Sequence, residues 1–72
     1  MSMSTSQFIK SKRKLLKLTQ VDLAEKAGVG LRFIRDLEQE KPSLRLDKVN
    51  QVLSLFGHKM GPVPIDRELD NE

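Results

Sequence analysis

The sequence has no cysteine, neither Trp nor Tyr, and only three Phe among its 72 residues. Without cysteine it can form no disulfide, no thiolate metal ligand and no cysteine nucleophile. His58 is the only histidine, so no second imidazole is available for a His cluster, and no glycine-rich phosphate loop occurs. We therefore expect no enzyme activity, no cofactor and no metal site.

Long apolar runs are also missing, whereas a membrane-spanning helix needs about 18 or more apolar residues. The polar residues 1–7 lack the apolar segment of a secretion signal. These absences favour a cytoplasmic protein with no membrane partner. A chain of 72 residues that is 38% hydrophobic can build one modest core, and a core this small commonly gains from oligomerisation.

Charge is unevenly distributed along the chain, whose net charge is +3. The first 18 residues contain no acidic residue and five basic ones, namely Lys10, Lys12, Arg13, Lys14 and Lys17. The last residues are mostly acidic, with Asp66, Glu68, Asp70 and Glu72. A basic cluster is typical of a surface that binds phosphate or an acidic partner. An ordinary solvated helix face has the same composition, so charge alone leaves both interpretations open.

The spacing of apolar residues predicts four helices, at about residues 5–16, 20–27, 31–39 and 45–56. Thr19, followed by Asp22, has the pattern of a capping box at the start of the second helix. Gly28 and Gly57 are expected to end the second and fourth helices. Pro42 places a loop after the third helix. The sequence therefore predicts an all-α fold with tight turns.

Each predicted helix has an apolar side. These positions are Phe8, Ile9, Leu15 and Leu16 in the first helix, Leu23 and Ala27 in the second, Ile34 and Leu37 in the third, and Leu46, Val49, Val52, Leu53 and Phe56 in the fourth. In the third helix this arrangement leaves Arg32, Arg35 and Asp36 on the opposite side. We expect that opposite side to face outward.

Residues 18–38 contain two short helices separated by a glycine-led turn, in the pattern LTQ..LA...GV followed by I and LE. This pattern resembles the helix-turn-helix of the lambda/Cro/434-like repressors, also called the XRE family, and the resemblance covers about residues 8–57. It implies a compact four-helix, lambda-repressor-like domain after a flexible N-terminus at residues 1–7. It also implies a sequence-specific, homodimeric repressor of transcription that binds an inverted repeat in double-stranded DNA and is therefore associated with the nucleoid.

The resemblance assigns roles to individual residues. The third helix would lie in the major groove, with base contacts from Leu31, Arg32, Arg35 and Asp36. Contacts to the DNA backbone would come from Arg13, Thr19, Gln20, Gly30, Lys41, Ser43 and Arg45. Arg13 would also form a partly buried ion pair with Glu38, the alternative being two solvated charges. The sequence departs from the family at Gly30, Leu31 and Phe33, where short polar residues are commoner.

Residues 42–60 resemble a narrower group, the antitoxin repressors of Hip-type toxin–antitoxin modules. That resemblance implies a HipA-like kinase toxin as partner and a dimerisation strand at residues 58–64, with His58, Lys59, Met60 and Val63 in the contact. Residues 65–72 would form an acidic, disordered tail. Two alternatives remain open. One is a stand-alone phage-type repressor without a toxin, and the other is a protein-interaction module without specific DNA binding.

Overall fold

The computed structural model describes residues 3–65, which contain four α-helices and no strand. The helices are α1 (Thr5–Leu15), α2 (Gln20–Ala27), α3 (Leu31–Glu38) and α4 (Leu46–Ser54). The predicted all-α, four-helix fold is therefore confirmed. Within this part of the chain, no helix has the length and apolar character needed to cross a membrane.

The folded domain begins earlier than the expected boundary at residue 8. Ser4 caps α1, because its hydroxyl accepts a hydrogen bond from the Gln7 amide at 3.1 Å while the Gln7 side chain accepts one from the Ser4 amide at 3.0 Å. This reciprocal capping box satisfies two amides that α1 leaves without helical partners. Ser6, in the first turn, is buried. The expectation of a flexible segment through residue 7 is therefore wrong for residues 4–7, and residues 1–2 lie outside the described part.

Each of the four helices is followed, within one to three residues of its last residue, by a residue in the left-handed conformation. The φ values are 59° for Lys17, 74° for Gly28, 61° for Glu40 and 71° for Gly57. After each of them, the next amide bonds a carbonyl five positions back, as Leu18 does to Arg13 (3.0 Å) and His58 to Leu53 (3.0 Å). Glycine takes this conformation without steric cost. Gly28 directly follows α2, as predicted, whereas α4 ends at Ser54, two residues before its predicted end, and Gly57 lies in the turn that follows.

The core lies where the four helices meet. Ile9, Leu23, Ile34 and Val52 are each 0% exposed, so every helix contributes one fully buried side chain. Ala24, Ala27, Leu37, Val49 and Leu53 complete the core. Small Ala24 and Ala27 allow α2 to approach its neighbours closely, and α3 packs against both α2 and α1. The buried side chains therefore hold α3 in place through one of its faces.

Three expected core positions are exposed instead. Leu15 and Leu16 are 73% and 56% exposed, and Leu46 is 57% exposed. In the last turn of α1 the position facing α3 belongs to Arg13, one helical turn beyond Ile9, and the chain leaves the helix at Leu16. Leu46 is the first residue of α4. The apolar faces predicted for α1 and α4 therefore included residues at these helix ends that are exposed.

Candidate DNA-binding surface

The helix-turn-helix is formed by α2, residues 28–30 and α3. The Thr19 hydroxyl accepts a hydrogen bond from the Asp22 amide at 3.0 Å, and the Asp22 carboxylate accepts one from the Thr19 amide at 2.9 Å. That second hydrogen bond lowers the pKa of Asp22. Gly28 ends α2, and α3 begins after Gly30, which has extended backbone and no side chain to cap the helix. The turn between the two helices is therefore short.

The two faces of α3 differ sharply in burial. Ile34 is 0% and Leu37 is 2% exposed, whereas Arg32 and Arg35 are exposed. Leu31 and Asp36 are half-buried, and Leu31 packs against the core. The structure thus presents two arginines outward on a helix whose opposite face is fixed. Leu31 was expected to contact a base, but the core covers part of its side chain.

Arg13, Gln20 and Glu38 join the ends of α1, α2 and α3. Arg13 donates to both Glu38 carboxylate oxygens, through Nε at 2.7 Å and Nη2 at 3.0 Å, and its Nη1 donates to the Leu18 carbonyl at 2.9 Å. Gln20 Nε2 donates to Glu38 Oε1 at 3.2 Å. The side chains of Arg13 and Glu38 are only 12% and 3% exposed. We call these three residues the Glu38 cluster.

The Glu38 cluster keeps its charges despite burial. Burial by itself raises the pKa of the Glu38 carboxyl, but the hydrogen bonds from Arg13 and Gln20 and the nearby positive charges outweigh it and hold that pKa below its usual value. The hydrogen bond to Glu38 raises the pKa of Arg13 in turn. Glu38 is the last residue of α3, so this charge pair fixes the end of that helix to α1.

Two further side chains secure the helix-turn-helix, and sequence reasoning missed both. The Ser6 hydroxyl donates to the Leu37 carbonyl at the end of α3, and Ser6 is a buried residue. Gln51 Nε2 donates to the carbonyls of Ala27 (3.1 Å) and Gly28 (3.2 Å) at the end of α2. The position of Ser6, three residues before Ile9 and so on the same face of α1, could have indicated that this small polar residue is buried. Nothing in the sequence distinguishes Gln51 from a solvated residue.

The remaining residues expected at the DNA backbone are mostly at the surface. Thr19, Gly30, Lys41, Ser43 and Arg45 are exposed, and Gln20 is half-buried in the Glu38 cluster. Arg45 is not free, because it forms an ion pair with Asp47 at 2.7 Å in which the two side chains are 67% and 63% exposed. An exposed pair of this kind is weak and can exchange for another anion.

The segment after α4 has no regular secondary structure through residue 65 of this single chain, so the expected strand at residues 58–64 is absent from it. Two of its residues instead contact the helices. The His58 ring lies 4.7 Å from the Phe8 ring, centroid to centroid, and the Met60 amide donates to Asn50 Oδ1 at 2.7 Å. Lys59 is exposed, and Val63 is 80% exposed. Residues 66–72 of the expected tail lie outside the described part.

The family model for helix-turn-helix domains matches residues 9–59. This chain therefore belongs to the XRE-like helix-turn-helix family of DNA-binding transcription regulators, as the residue pattern predicted. An uncharacterized HTH-type transcriptional regulator, y4mF, of Sinorhizobium fredii is 56% identical over 45 residues, which are 62% of this chain and 59% of that protein. The immunity repressor protein of Bacillus phage phi105 is 33% identical over 70 residues, or 97% of this chain and 49% of that protein.

The chain thus spans about half to three fifths of the length of these relatives. No solved structure matches it significantly. The family assignment applies to the helix-turn-helix domain, whose elements and burial are described above.

Proposed function

We propose that this chain is a sequence-specific DNA-binding repressor that acts as a homodimer and places residues 31–36 of each copy in a major groove. One observation carries the proposal: Arg32 and Arg35 project from α3 while Ile34 and Leu37, on the same helix, are 0% and 2% exposed. The helix is held by one face and offers guanidinium groups on the other. A helix in this position can enter the major groove of DNA.

Arg32 is the first candidate for reading a base. It lies in the first turn of α3, and the first turns of a recognition helix reach the base edges. An arginine fork can donate to both O6 and N7 of guanine. Arg35 lies one turn further along the helix, where contacts to phosphate are at least as common as contacts to bases. Asp36 can accept from cytosine N4 or orient an arginine, and Leu31 can contact a thymine methyl through its uncovered part.

Contacts to phosphate would surround this helix. The N-terminus of α2 offers backbone amides near Thr19 and Gln20, and helix N-termini favour anions. Gln20 already donates to Glu38, so its amide can connect a phosphate to the Glu38 cluster. Lys41, Ser43 and Arg45 follow α3 in an exposed loop, and Gly30 leaves room for a close approach of the DNA backbone because nothing lies within 4 Å of a Cβ added there.

The test compares three variants on a cognate duplex and on a scrambled one. Arg32→Ala should reduce affinity for the cognate duplex by about 1–3 kcal/mol and relax the preference at one base pair. Arg32→Lys keeps the charge but loses the fork, so it should retain affinity for scrambled DNA and lose the guanine preference. Lys41→Ala should weaken both duplexes alike. If Arg32→Ala lowers binding to the two duplexes equally, Arg32 is not a base reader.

Dimerisation and operator symmetry belong to the same proposal. Two recognition helices on a two-fold axis would lie about 34 Å apart, one turn of DNA, which requires an inverted repeat. The exposed residues 58–64 would supply the contact between copies by pairing as strands, with His58, Lys59, Met60 and Val63 in it. Deleting residues 58–72 and measuring the mass in solution tests this, since a truncated chain that still dimerises contradicts it.

The regulatory setting extends the proposal. Binding over a promoter would block transcription, and the relative from phage phi105 is named an immunity repressor protein. The antitoxin role, with a HipA-like kinase toxin as co-binder, stays a prediction that depends on the resemblance of residues 42–60 alone. A stand-alone phage-type repressor is the alternative. A kinase-like reading frame next to this gene would favour the antitoxin role.

A protein-interaction module without specific DNA binding is the remaining alternative, and salt dependence separates it from a repressor. For a DNA-binding protein the logarithm of the affinity falls with the logarithm of salt concentration, with a slope of about −0.9 for each phosphate contacted. A protein-only binder shows no preference for any duplex in a random pool. Selection from such a pool would also reveal the operator and its symmetry.

A further inference from the structure

A small cavity lies between the start of α1 and the segment that follows α4. Its volume is about 190 Å³, and its lining includes Met3, Thr5, Phe8, His58 and Met60. None of these residues belongs to the Glu38 cluster or to the exposed face of α3. Two of the three methionines of the chain and its only histidine therefore line one cavity, outside the residues assigned to DNA.

Met60 and His58 contact two neighbouring residues on one face of α1. Thr5 and Phe8 are three residues apart in α1, so their side chains are neighbours on one face, with Cβ atoms about 5–6 Å apart. The Thr5 hydroxyl donates to Met60 Sδ at 3.4 Å. The His58 ring lies over Phe8, with ring centroids 4.7 Å apart. Met3 precedes α1 and reaches the same cavity.

The hydrogen bond of His58 leaves one ring nitrogen free. His58 Nδ1 lies 2.6 Å from the Phe56 carbonyl oxygen, and because a carbonyl can only accept, Nδ1 carries the hydrogen. In the neutral ring Nε2 then keeps its lone pair. A histidine that binds a metal commonly donates its other ring N–H to a carbonyl, which fixes the tautomer and the ring orientation. Met60 is held in place as well, by its amide hydrogen bond to Asn50.

We propose that Met3, His58 and Met60 form a binding site for a soft monovalent cation of the Cu(I) class. Thioether sulfur selects Cu(I) among the biological metals, and imidazole is also a good copper ligand. Residues 3–65 contain no group of three His, Cys, Asp or Glu side chains that could hold a metal. The proposed site differs from such a group because two of its three ligands are thioethers, and it departs from the expected absence of a metal site.

The charges around the cavity favour a monovalent ion. Lys59 also lines the cavity, and Lys12 Nζ lies 5.6 Å from the centre of the Phe8 ring. All three proposed ligands are neutral, so nothing in the site compensates a second positive charge. Repulsion from the two lysines doubles for a divalent ion. Methionine has three rotatable bonds and adapts its sulfur position easily, so the proposal needs only the shared lining of the cavity by the two thioethers and His58.

Silver(I) is the probe, because it is soft and monovalent and does not change oxidation state. It is titrated into the full chain in chloride-free buffer while NMR follows the three methionine methyl groups and the His58 ring. One equivalent of Ag(I) should shift the Met3 and Met60 methyl signals and the His58 Nε2 signal. The Met1 methyl signal serves as an internal control and should stay in place. A titration without a 1:1 end point, or one that shifts Met1 in place of Met3, overturns the proposal.

Three variants sharpen the result. All three positions are exposed in the single chain, so its fold should survive each change. Because they also belong to the proposed dimer contact at residues 58–64, the mass of each variant in solution is compared with that of the wild type. His58→Gln and Met60→Leu should each weaken Ag(I) binding at least about tenfold, since even residues that only support a ligand contribute that much. Lys59→Gln, between them, should keep or improve it. Ag(I) should also raise the Tm of the wild-type chain, because the ion joins α1 to the segment after α4. Affinity that neither His58→Gln nor Met60→Leu changes, or equally tight binding of Zn²⁺, refutes the site.

Discussion

Replacing Glu38 with Ala should destabilise the domain far more than its single ion pair suggests. The substitution removes the acceptor of two hydrogen bonds from Arg13 and one from Gln20. It leaves the Arg13 guanidinium, only 12% exposed, without a counter-charge. Desolvating a charge is costly, and the cost is no longer offset once its partner is gone.

The expected loss is about 3–5 kcal/mol, the range for removing one partner of a buried ion pair. A domain of this length has a total stability of about 4–11 kcal/mol, from about 0.05–0.15 kcal/mol per residue. One kcal/mol lowers the Tm of so small a domain by about 4–8 °C. The Tm of Glu38→Ala should therefore fall by at least about 12 °C, and at the upper end of the range the chain unfolds.

Thermal unfolding followed by circular dichroism measures the effect, with Arg45→Ala as the matched control. The Arg45–Asp47 pair has the same 2.7 Å distance as the Arg13–Glu38 pair, but its side chains are 67% and 63% exposed. Water solvates both groups when that pair is broken, so Arg45→Ala should melt close to the wild type. The two variants thus differ in burial and not in the length of the ion pair.

A double variant separates the attraction between the charges from the cost of an unpaired charge. Replacing Arg13 with Met and Glu38 with Leu removes both charges and keeps most of the volume, and such exchanges are often neutral or stabilising. We expect the double variant to recover most of the Tm that Glu38→Ala loses. If Glu38→Ala melts like the wild type, or if the double variant is the less stable of the two, the argument from buried charge is refuted.

Three further predictions follow from individual residues. The pKa of Glu38 is lowered from its ordinary 4.5, so the Glu38 cluster contributes fully to stability above pH 4.5, and this contribution is lost as the pH falls through the lower pKa of the folded state. The Tm difference between the wild type and Glu38→Gln should therefore shrink on acidification below pH 4.5. A difference that stays constant would contradict this. Gly28→Ser should lower stability by about 1–2 kcal/mol, because φ is 74° at this position and a residue with a Cβ is strained in left-handed backbone. Gly30→Ser, at a position where φ is −73°, should raise stability by a few tenths of a kcal/mol, because the serine hydroxyl can cap α3. The midpoints of urea unfolding of the two variants should therefore shift in opposite directions from that of the wild type. Thr19→Ala should cost about 1 kcal/mol through loss of the α2 cap, with the same assay as readout.

The sequence was sufficient for the helices because their signals are local. Thr19 with Asp22 indicated the start of α2, and Gly28 and Gly57 indicated the ends of α2 and α4, since only glycine takes left-handed backbone without strain. The alternation of Ile34 and Leu37 with Arg32 and Arg35 predicted which face of α3 is buried. Each of these inferences needs only neighbouring residues, so one sequence supplies the information.

The parts that were wrong or missed depend on contacts distant in the chain. Lys17 and Glu40 end α1 and α3 in left-handed conformations, yet neither residue type signals it. Ser6 bonds to Leu37, 31 positions away, and Gln51 bonds to Ala27, 24 positions away. Leu16 has the spacing of an apolar face but lies where the helix has already ended. The spacing of apolar residues indicates which side of a helix is buried, but not how far along the helix a neighbouring helix covers that side.

The shortness of α3 explains why its two faces can vary independently. With eight residues, α3 is well below the length of about 12–15 residues at which an isolated helix becomes marginally stable. Its formation and direction must therefore come from tertiary anchors, which are Ile34 and Leu37 in the core, the Ser6 bond to Leu37, and the Glu38 cluster. Arg32 and Arg35 form no part of these anchors. A change at either arginine should consequently alter DNA binding while the Tm stays constant, and a change at Arg32 should alter which DNA is bound. A change at an anchor should instead weaken all DNA binding together with the fold.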